Sequence, residues 1–403
     1  MQNTFFNAEY NAPLILAEAI SKEPRFYQAN TALETADALR DGHLRICIKS
    51  PTGTGKTLIS KLVALSYEVR QAANLPESVI NGEEKLRILF ISNKHRLNRQ
   101  ASAEYAENES IELIPHSAFS PIPDDLIEKG WHMAFIDECH HEAMMSIQYL
   151  LNDLTDRPVI GFTAEDKRGD GLVIKFSKMI VAISEYEAAK RGFNEKAGLN
   201  SIVDFSGTNK IPLAKRVMGD YHAHMGNTIL FFRTEKEVNA ITKFLRSKGV
   251  AVAALNGTAN EAEVDRQLER LSRGEIQFLV NCQRIGEGVD TPFVFDVALF
   301  RTFNSLAEKK QYIGRAIRPD SPCGVWELIN PLVDSIQAKD VVGLTKYERL
   351  LYLDENEEWV EEMVSGHDAT WGKVGELRFD IPALRKLEAE AEEGADLEAS
   401  QAA

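Results

Sequence analysis

The stretch LRICIKSPTGTGKT, residues 44–57, decides the fold class of this chain. Its first half, LRICIKS, is a short apolar run that predicts a buried β-strand. The second half, SPTGTGKT at Ser50–Thr57, matches the phosphate-loop pattern, with Ser50 where the first glycine usually stands. A strand, a glycine-rich loop and a helix in succession are typical of a parallel α/β sheet.

Each residue type in this loop suits a phosphate ligand. The two glycines allow a tight turn that aims backbone N–H groups at phosphate oxygens, and the next helix adds the positive end of its dipole. The lysine is expected to reach the β and γ phosphates, and the last threonine to bind Mg²⁺. The predicted nucleotide-binding residues of the loop are Thr52, Gly53, Thr54, Gly55, Lys56 and Thr57.

The segment FIDECHH, residues 135–141, places five potential metal ligands side by side. Zinc ligands usually come as spaced pairs, and successive strand residues point to opposite faces, so a zinc site is only the minor alternative. The apolar run before the segment predicts a strand ending at Asp137, where α/β sheets bind ligands. We expect Asp137 to hold Mg²⁺ mainly through water and Glu138 to orient and deprotonate an attacking water.

The strand–loop–helix pattern occurs in two series along the chain, which predicts two tandem α/β domains with parallel sheets. The predicted strands cover 44–50, 87–93, 133–138, 158–164, 227–233, 250–256, 276–282, 297–302 and 324–330, and helices cover 235–248, 261–272 and 305–317. The predicted segments are a first domain at 1–200, a connector at 201–226, a second domain at 227–335, a helical C-terminal extension at 336–382 and an acidic, disordered tail at 383–403.

Composition narrows the class of protein. The formal net charge is −15, but the acids concentrate between residues 354 and 398, so the remaining body is compatible with a local basic groove.

Four distant cysteines without a CxxC pair indicate free thiols of a reducing compartment. The N-terminus lacks the basic region of a signal peptide and no apolar run is long enough to span a membrane, so we expect a cytoplasmic protein. A solubilising role fits the tail best, and binding a protein partner is its alternative.

SPTGTGKT and DECH together resemble the superfamily 2 helicases and translocases of the DExH type. Further segments resemble the family's motifs in the family's order: RFYQ (25–28), ISNKHRLNRQ (91–100), GFTAEDKRGDG (161–171), ILFFRT (229–234), CQRIGEGVD (282–290) and QYIGRAIRP (311–319). The resemblance implies two RecA-like domains, ATP and Mg²⁺ bound between them, and nucleic acid lying across both.

The resemblance also implies roles for residues around the nucleotide. An aromatic residue upstream of the phosphate loop, Phe26, is implied to stack on adenine, and Gln28 to read the edge of that base. In the fifth motif, which the resemblance places at the interface of the two domains, Gly288 would allow the chain to approach closely, and Asp290 would contact the ribose.

The sixth motif contains Gln311, Arg315 and Arg318, which are spaced to lie on one helical face. Two guanidinium groups on one face can clamp a phosphate and offset charge that develops during transfer. The resemblance implies that Arg315 and Arg318 are arginine fingers, and a surface arginine stripe is the alternative.

Candidate nucleic-acid contacts follow the predicted strands. In the first domain the basic cluster comprises Lys94, His95, Arg96 and Arg99, and the alternative is a solvated helix start. In the second domain the candidates are Arg233 with Thr234 and the Asn256–Gly257–Thr258 turn. Phe232 and Phe303 have the right chemistry to stack on a base, but core positions fit both better.

The third motif departs from the family pattern. Thr163 keeps the usual hydroxyl, with nucleic-acid binding as its expected role, but Glu165 stands where the family has another hydroxyl. Since this motif resembles the one that couples hydrolysis to strand movement, the carboxylate puts that coupling in question. A carboxylate in this place would also repel a phosphate backbone.

The resemblance predicts an ATP-dependent helicase or translocase. The RGDG segment and the GRAIRP ending are more similar to the DNA-remodelling and restriction-type branches than to the RNA branch, so DNA is favoured. The alternatives are a duplex DNA translocase or motor subunit that does not separate strands, a nucleotide-gated scaffold with weakened coupling, and an RNA helicase.

Overall fold

The structure is a computed structural model that divides the chain into two compact units, Met1–Ala188 and Ala189–Ala403, called unit 1 and unit 2 below. The residues that it describes are 2–4, 14–16, 24–93, 95–106, 108–128, 130–141, 144–152, 156–165, 174–194, 196–204, 210–282, 285, 293–303, 306–314, 324–330, 338, 344–354 and 356–364.

Unit 1 alternates strands with helices. Its strands are β1 (Gln2–Thr4), β2 (Leu14–Leu16), β3 (Arg45–Lys49), β4 (Leu86–Ser92), β5 (Ile111–Ser117), β6 (Met133–Asp137), β7 (Val159–Thr163) and β8 (Lys178–Val181). Its helices are α1 (Phe26–Arg40), α2 (Lys56–Leu65), α3 (Tyr67–Ala72), α4 (Glu77–Ile80), α5 (His95–Ala106), α6 (Asp124–Glu128), α7 (Met145–Asn152) and α8 (Glu185–Lys190).

Six of these strands form one parallel sheet in the order β5-β4-β6-β7-β3-β8, while β1 and β2 form a separate antiparallel pair. The four central strands are those predicted from continuous apolar runs, because helices cover both faces of a parallel sheet. The edge strands β5 and β8 were not predicted. Each is partly exposed, and β5 contains Pro115, which a sheet tolerates at its edge.

Unit 2 is built around a second, larger sheet. Its strands are β9 (Ala197–Val203), β10 (Thr228–Phe231), β11 (Val252–Leu255), β12 (Phe278–Asn281), β13 (Asp296–Leu299), β14 (Gly324–Ile329), β15 (Thr345–Leu353) and β16 (Trp359–Val364). Its helices are α9 (Ile211–Tyr221), α10 (Glu235–Ser247), α11 (Glu261–Ser272) and α12 (Leu306–Ile313). The strand order is β11-β12-β10-β13-β14-β9-β15-β16, and only the last pair is antiparallel.

The predicted connector at 201–226 is wrong, and the unit boundary lies before residue 200. All of β9 is buried, since it pairs with β14 and β15 inside the sheet, and α9 lies within the remaining segment. The sequence AGLNSIV was not predicted to be a strand because it contains two polar residues. Their side chains are satisfied inside the sheet, where the Asn200 amide donates to the Val325 carbonyl at 3.4 Å and the Ser201 hydroxyl to Glu327 at 3.3 Å.

The predicted helical extension at 336–382 is also wrong over its described part, where β15 and β16 form an antiparallel hairpin. Side chains attach this hairpin to α9. The indole of Trp359 donates to Asp220 at 2.8 Å, and the hydroxyl of Tyr221 donates to Glu361 at 2.6 Å. The hairpin is therefore part of the unit 2 sheet, while the predicted tail at 383–403 lies outside the described residues.

Two further sequence expectations concern the whole chain. In the described part, Cys47, Cys139 and Cys282 are buried free thiols, and Cys323 lies outside it. None of the helices in the described ranges is long and apolar enough to cross a membrane.

Candidate nucleotide-binding site in unit 1

The phosphate loop joins β3 to α2, as the sequence predicts. Gly53 and Gly55 have φ angles of +83° and +84°, a left-handed conformation that glycine adopts without strain. A Cβ atom at Gly55 would lie 2.6 Å from the Gln28 amide nitrogen. The loop thus requires glycine at Gly55 for two reasons, its backbone conformation and the close approach of α1.

Ser50, in place of the family's glycine, contributes a hydrogen bond inside the loop. Its hydroxyl lies 2.6 Å from the Thr54 hydroxyl, which donates to the Pro51 carbonyl at 2.5 Å. Ser50 and Thr54 are fully buried. The two hydroxyl groups therefore brace the loop from within.

The first turn of α1 holds the loop from outside. The Tyr27 hydroxyl and the Gln28 amide both donate to the Thr54 carbonyl, at 2.5 and 3.0 Å. The other end of Gln28 accepts from the Arg25 backbone N–H at 2.9 Å, and the side chain is 3 % exposed. Gln28 thus supports the phosphate loop here, while its reading of adenine stays a prediction, and Tyr27 was not identified from the sequence.

Lys56 and Glu138 bring the phosphate loop and the acidic box into contact, since the ammonium group donates to the carboxylate of Glu138. Burial alone would lower the pKa of Lys56, but the negative charges of Glu138 and Asp137 outweigh that effect and raise the pKa. Lys56 therefore stays a cation. Glu138 has a φ of +50°, uncommon for a non-glycine residue, in the turn that follows β6.

Behind the acidic box, His140 continues the polar chain from Glu138 to Thr163. Its Nδ1 atom lies 3.4 Å from the Glu138 carboxylate and 2.9 Å from Thr163 Oγ1. The Thr163 hydroxyl also accepts from the Glu165 backbone N–H at 2.9 Å. Thr163 is fully buried and Glu165 is 4 % exposed, so neither presents its side chain to a phosphate backbone in this conformation.

The remaining ligand types of FIDECHH face different neighbours. Cys139 packs over Gly161, where an added Cβ would lie 2.6 Å from its sulfur, and lies 3.6 Å from the Cys47 sulfur. His141 is half-buried and contacts His140, with ring centroids 4.1 Å apart and the ring planes tilted by 42°. Within the described ranges, no group of three or more His, Cys, Asp or Glu side chains is arranged to hold a metal.

The donor set fits nucleotide-bound Mg²⁺. Thr57 is exposed at the start of α2, and Asp137 is half-buried at the end of β6, so a hydroxyl and a carboxylate oxygen flank the loop that would hold the phosphates. Mg²⁺ prefers such oxygen ligands and retains several waters. Thr57 and Asp137 are therefore the residues that would hold the ion.

Other predicted nucleotide contacts are only partly placed. Phe26 is half-buried and packs edge-to-face on Tyr27, and Thr52 is half-buried in the loop. Gln311 is half-buried in the last turn of α12. Gly288, Asp290, Arg315 and Arg318 lie outside the described residues.

Candidate nucleic-acid contacts follow the carboxyl ends of strands in the two sheets. In unit 1, Arg99 on α5 is exposed, Lys94 lies outside the described residues, and Arg96 is described only in its backbone. In unit 2, Arg233 and Thr258 are exposed. They are close neighbours, since Gly257 donates its N–H to Glu235 at 2.8 Å.

The two aromatic residues considered as base-stacking candidates are core residues, as expected. Phe232 is fully buried and Phe303 is 4 % exposed. Phe232 packs edge-to-face on Phe300, and Phe303 on Tyr312.

Comparison with known families gives two matches that cover different parts of the chain. Residues 21–113 match "Type III restriction enzyme, res subunit", and residues 209–320 match "Helicase conserved C-terminal domain". The first range contains the phosphate loop, and the second contains α9–α12 and the sixth motif.

A curated relative is "Putative ATP-dependent helicase IRC3" of Saccharomyces cerevisiae, 22% identical over 354 residues. The alignment covers 77% of this chain and 50% of IRC3, so the chain spans about half the length of that relative.

Solved structures with a similar fold include restriction enzymes. The fragment of a "putative HsdR subunit of a type I restriction enzyme" from Vibrio vulnificus superimposes with a TM-score of 0.63 at 20% identity, covering 84% of this chain and 70% of that one. The type ISP restriction-modification enzyme LlaBIII bound to DNA gives 0.55 at 14% identity, covering 80% of this chain and 28% of that one. These similarities show the fold, two RecA-like lobes.

Proposed function

Because the chain belongs to superfamily 2 of the helicases, in its restriction-type branch, we propose that it hydrolyses ATP to move along or unwind DNA. The observation that carries this proposal is the contact between Lys56 and Glu138. It brings the residue expected to grip the triphosphate to the residue expected to activate water. Both chemical functions of an ATP hydrolase therefore meet in unit 1.

The same contact suggests how binding prepares hydrolysis. An incoming triphosphate competes with Glu138 for the ammonium group of Lys56, because its β and γ oxygens carry more negative charge. Glu138 is thereby released to orient the attacking water and accept its proton. Mg²⁺ held by Thr57 and Asp137 would neutralise part of the phosphate charge.

The positive charge needed in the transition state is proposed to come from the sixth motif. Arg315 and Arg318 would offset charge on the transferred phosphoryl group. Their role is carried over from the resemblance of QYIGRAIRP to the family's motif.

DNA is the proposed substrate, rather than RNA, on the basis of the structural relatives, whereas the phosphate contacts described below fit either nucleic acid. Two of the structural relatives are restriction enzymes, and the LlaBIII structure contains DNA. Exposed polar and basic side chains, among them Arg99, Arg233 and Thr258, lie at sheet edges where they can contact phosphates. A duplex translocase that does not separate strands uses the same residues and is distinguished by the assay below.

The test is ATP hydrolysis measured with single-stranded DNA, duplex DNA, forked DNA and RNA, each at two salt concentrations. We expect DNA to stimulate hydrolysis, with less stimulation at high salt because phosphate contacts are screened. Glu138→Gln is the control and should bind ATP but hydrolyse it at least about 100-fold more slowly. Hydrolysis that responds to no nucleic acid would contradict the proposal.

Strand-displacement and triplex-displacement assays then separate the two kinds of motor. A helicase displaces a paired strand from forked DNA. A duplex translocase displaces a triplex-forming strand and leaves the duplex paired.

A further inference from the structure

Phe119 is the most exposed aromatic side chain in the described part of the chain, at 63 %. Leaving a large apolar side chain in water costs free energy. A single exposed one is common on protein surfaces, so its rigid support and its neighbours, not its exposure alone, mark this residue. It lies in the turn Ser117–Ser120, directly after the edge strand β5. Phe119 was not identified from the sequence, because the strand before it was not predicted.

Hydrogen bonds fix the turn from several sides. The Ala118 N–H donates to the Ser92 carbonyl at 2.9 Å, which continues the β4–β5 pairing. The hydroxyl of Ser146, on α7, donates to the Ser117 and Ala118 carbonyls at 3.3 and 3.0 Å. Ala118 and Ser146 are both buried, so Phe119 projects from a rigid support.

The same hydrogen-bond network places the turn beside the start of α5. The Ser92 hydroxyl donates to the Asn98 amide oxygen at 2.9 Å, and the Asn98 amide nitrogen donates to the His116 carbonyl at 3.0 Å. Asn98 is therefore a bridge between the end of β5 and α5. The next residue on α5 is Arg99, which belongs to the basic cluster and is exposed.

Arg99 and the turn that carries Phe119 suit different parts of a nucleic acid. Arg99 offers a cation to a phosphate, whereas the turn, SAFS, carries no charge and offers an aromatic face. The nearest acids along the chain, Asp124 and Asp125, are exposed at the start of α6 and would disfavour a phosphate close to the turn. A base is the part of a nucleic acid that suits an uncharged, exposed ring.

We propose that Phe119 is a stacking platform for an unpaired base of a single-stranded nucleic acid whose backbone passes Arg99. This inference rests on the proposed function and refines it, because stacking requires a base that is not paired in a duplex. The protein therefore engages a single strand in unit 1.

The test compares two fluorescent probes, a short oligothymidylate and a strand of the same length whose sugars lack bases. We expect Phe119→Ala to weaken binding of the oligothymidylate about tenfold and to leave binding of the abasic strand unchanged. Phe119→Trp should restore the affinity for the oligothymidylate. Arg99→Ala should weaken the binding of both probes and make that binding less dependent on salt, because it removes a phosphate contact.

Tyr186→Ala is the matched control, since Tyr186 is also exposed, at 52 %, but follows β8 at the opposite edge of the same sheet. It should change neither affinity. If Phe119→Ala binds the oligothymidylate as tightly as the wild type, or loses the same affinity for both probes, stacking is ruled out while the proposed function stands. A wild-type protein that binds neither strand nor duplex overturns both.

Discussion

The ring nitrogen Nδ1 of His140 lies 2.9 Å from the hydroxyl oxygen of Thr163, which joins the acidic box to the third motif within unit 1. Through Glu138 the link reaches Lys56 and the phosphate loop. The third motif therefore keeps its connection to the nucleotide site despite Glu165. The buried hydroxyl of Thr163 is the part of this motif that the connection needs.

Replacing Thr163 tests whether this link couples hydrolysis to nucleic acid. Thr163→Val keeps the shape but leaves the His140 ring and the Glu165 N–H without their common partner. We expect the DNA-stimulated ATPase rate to fall about tenfold, which corresponds to about 1.4 kcal/mol in the barrier, while ATP affinity stays the same. Thr163→Ser retains the hydroxyl and should keep most of the stimulation. Unchanged stimulation in Thr163→Val would show that the link is not needed for coupling.

Tyr27 is expected to position the phosphate loop. Tyr27→Phe removes one of the two donors to the Thr54 carbonyl, so we expect ATP to bind about fivefold more weakly, with little change in kcat. Tyr221→Phe is the matched control, because its hydroxyl donates to Glu361 within unit 2, at 2.6 Å, and not to the phosphate loop. Both variants should lose about 1 kcal/mol of stability. Equal ATP affinity in the two variants would show that Tyr27 is only structural.

Asp296 makes the stability of unit 2 depend on pH. It accepts from the Gly226 N–H at 2.7 Å, but burial outweighs its hydrogen bonds and raises its pKa from 3.8 to about 6. The native state therefore binds more protons than the unfolded state between these values, so this group's contribution to stability decreases as pH rises through that window. The difference in the free energy of unfolding between the wild type and Asp296→Asn should therefore fall by about 2 kcal/mol from pH 4.5 to pH 7, to the disadvantage of the wild type.

Urea unfolding of both proteins at the two pH values measures this difference. Taking the difference removes the contribution of the other titrating groups, which the two proteins share. A difference that does not change with pH would mean that Asp296 titrates normally in the folded protein.

The C-terminal hairpin is expected to be necessary for folding. A chain ending at Asn330 lacks β15 and β16, which leaves the buried strand β9 without one of its two neighbours and removes Trp359 from Asp220. We expect this chain to aggregate or unfold. A chain ending at residue 382, which lacks only the predicted acidic tail, should give the same circular dichroism spectrum and melting temperature as the full chain. A stable, monomeric chain ending at Asn330 would contradict the assignment of the hairpin to unit 2.

The sequence by itself determined the α/β class, the nine strands with apolar runs and the identity of the phosphate loop and acidic box. These features depend on neighbouring residues only. An apolar run predicts a strand that is covered on both faces, and the loop needs glycine where its φ angles are positive.

Only the tertiary structure decided where the chain divides, how β9 and the hairpin join the second sheet, and which side chains support the loop. Asn200 and Ser201 look unsuited to a core until their partners in β14 are known. Likewise, the support of Phe119 by the edge strand β5 was visible only in the structure, because the sequence did not predict that strand. Burial and hydrogen bonding depend on residues that are distant in the chain, and short sequence patterns do not record those contacts.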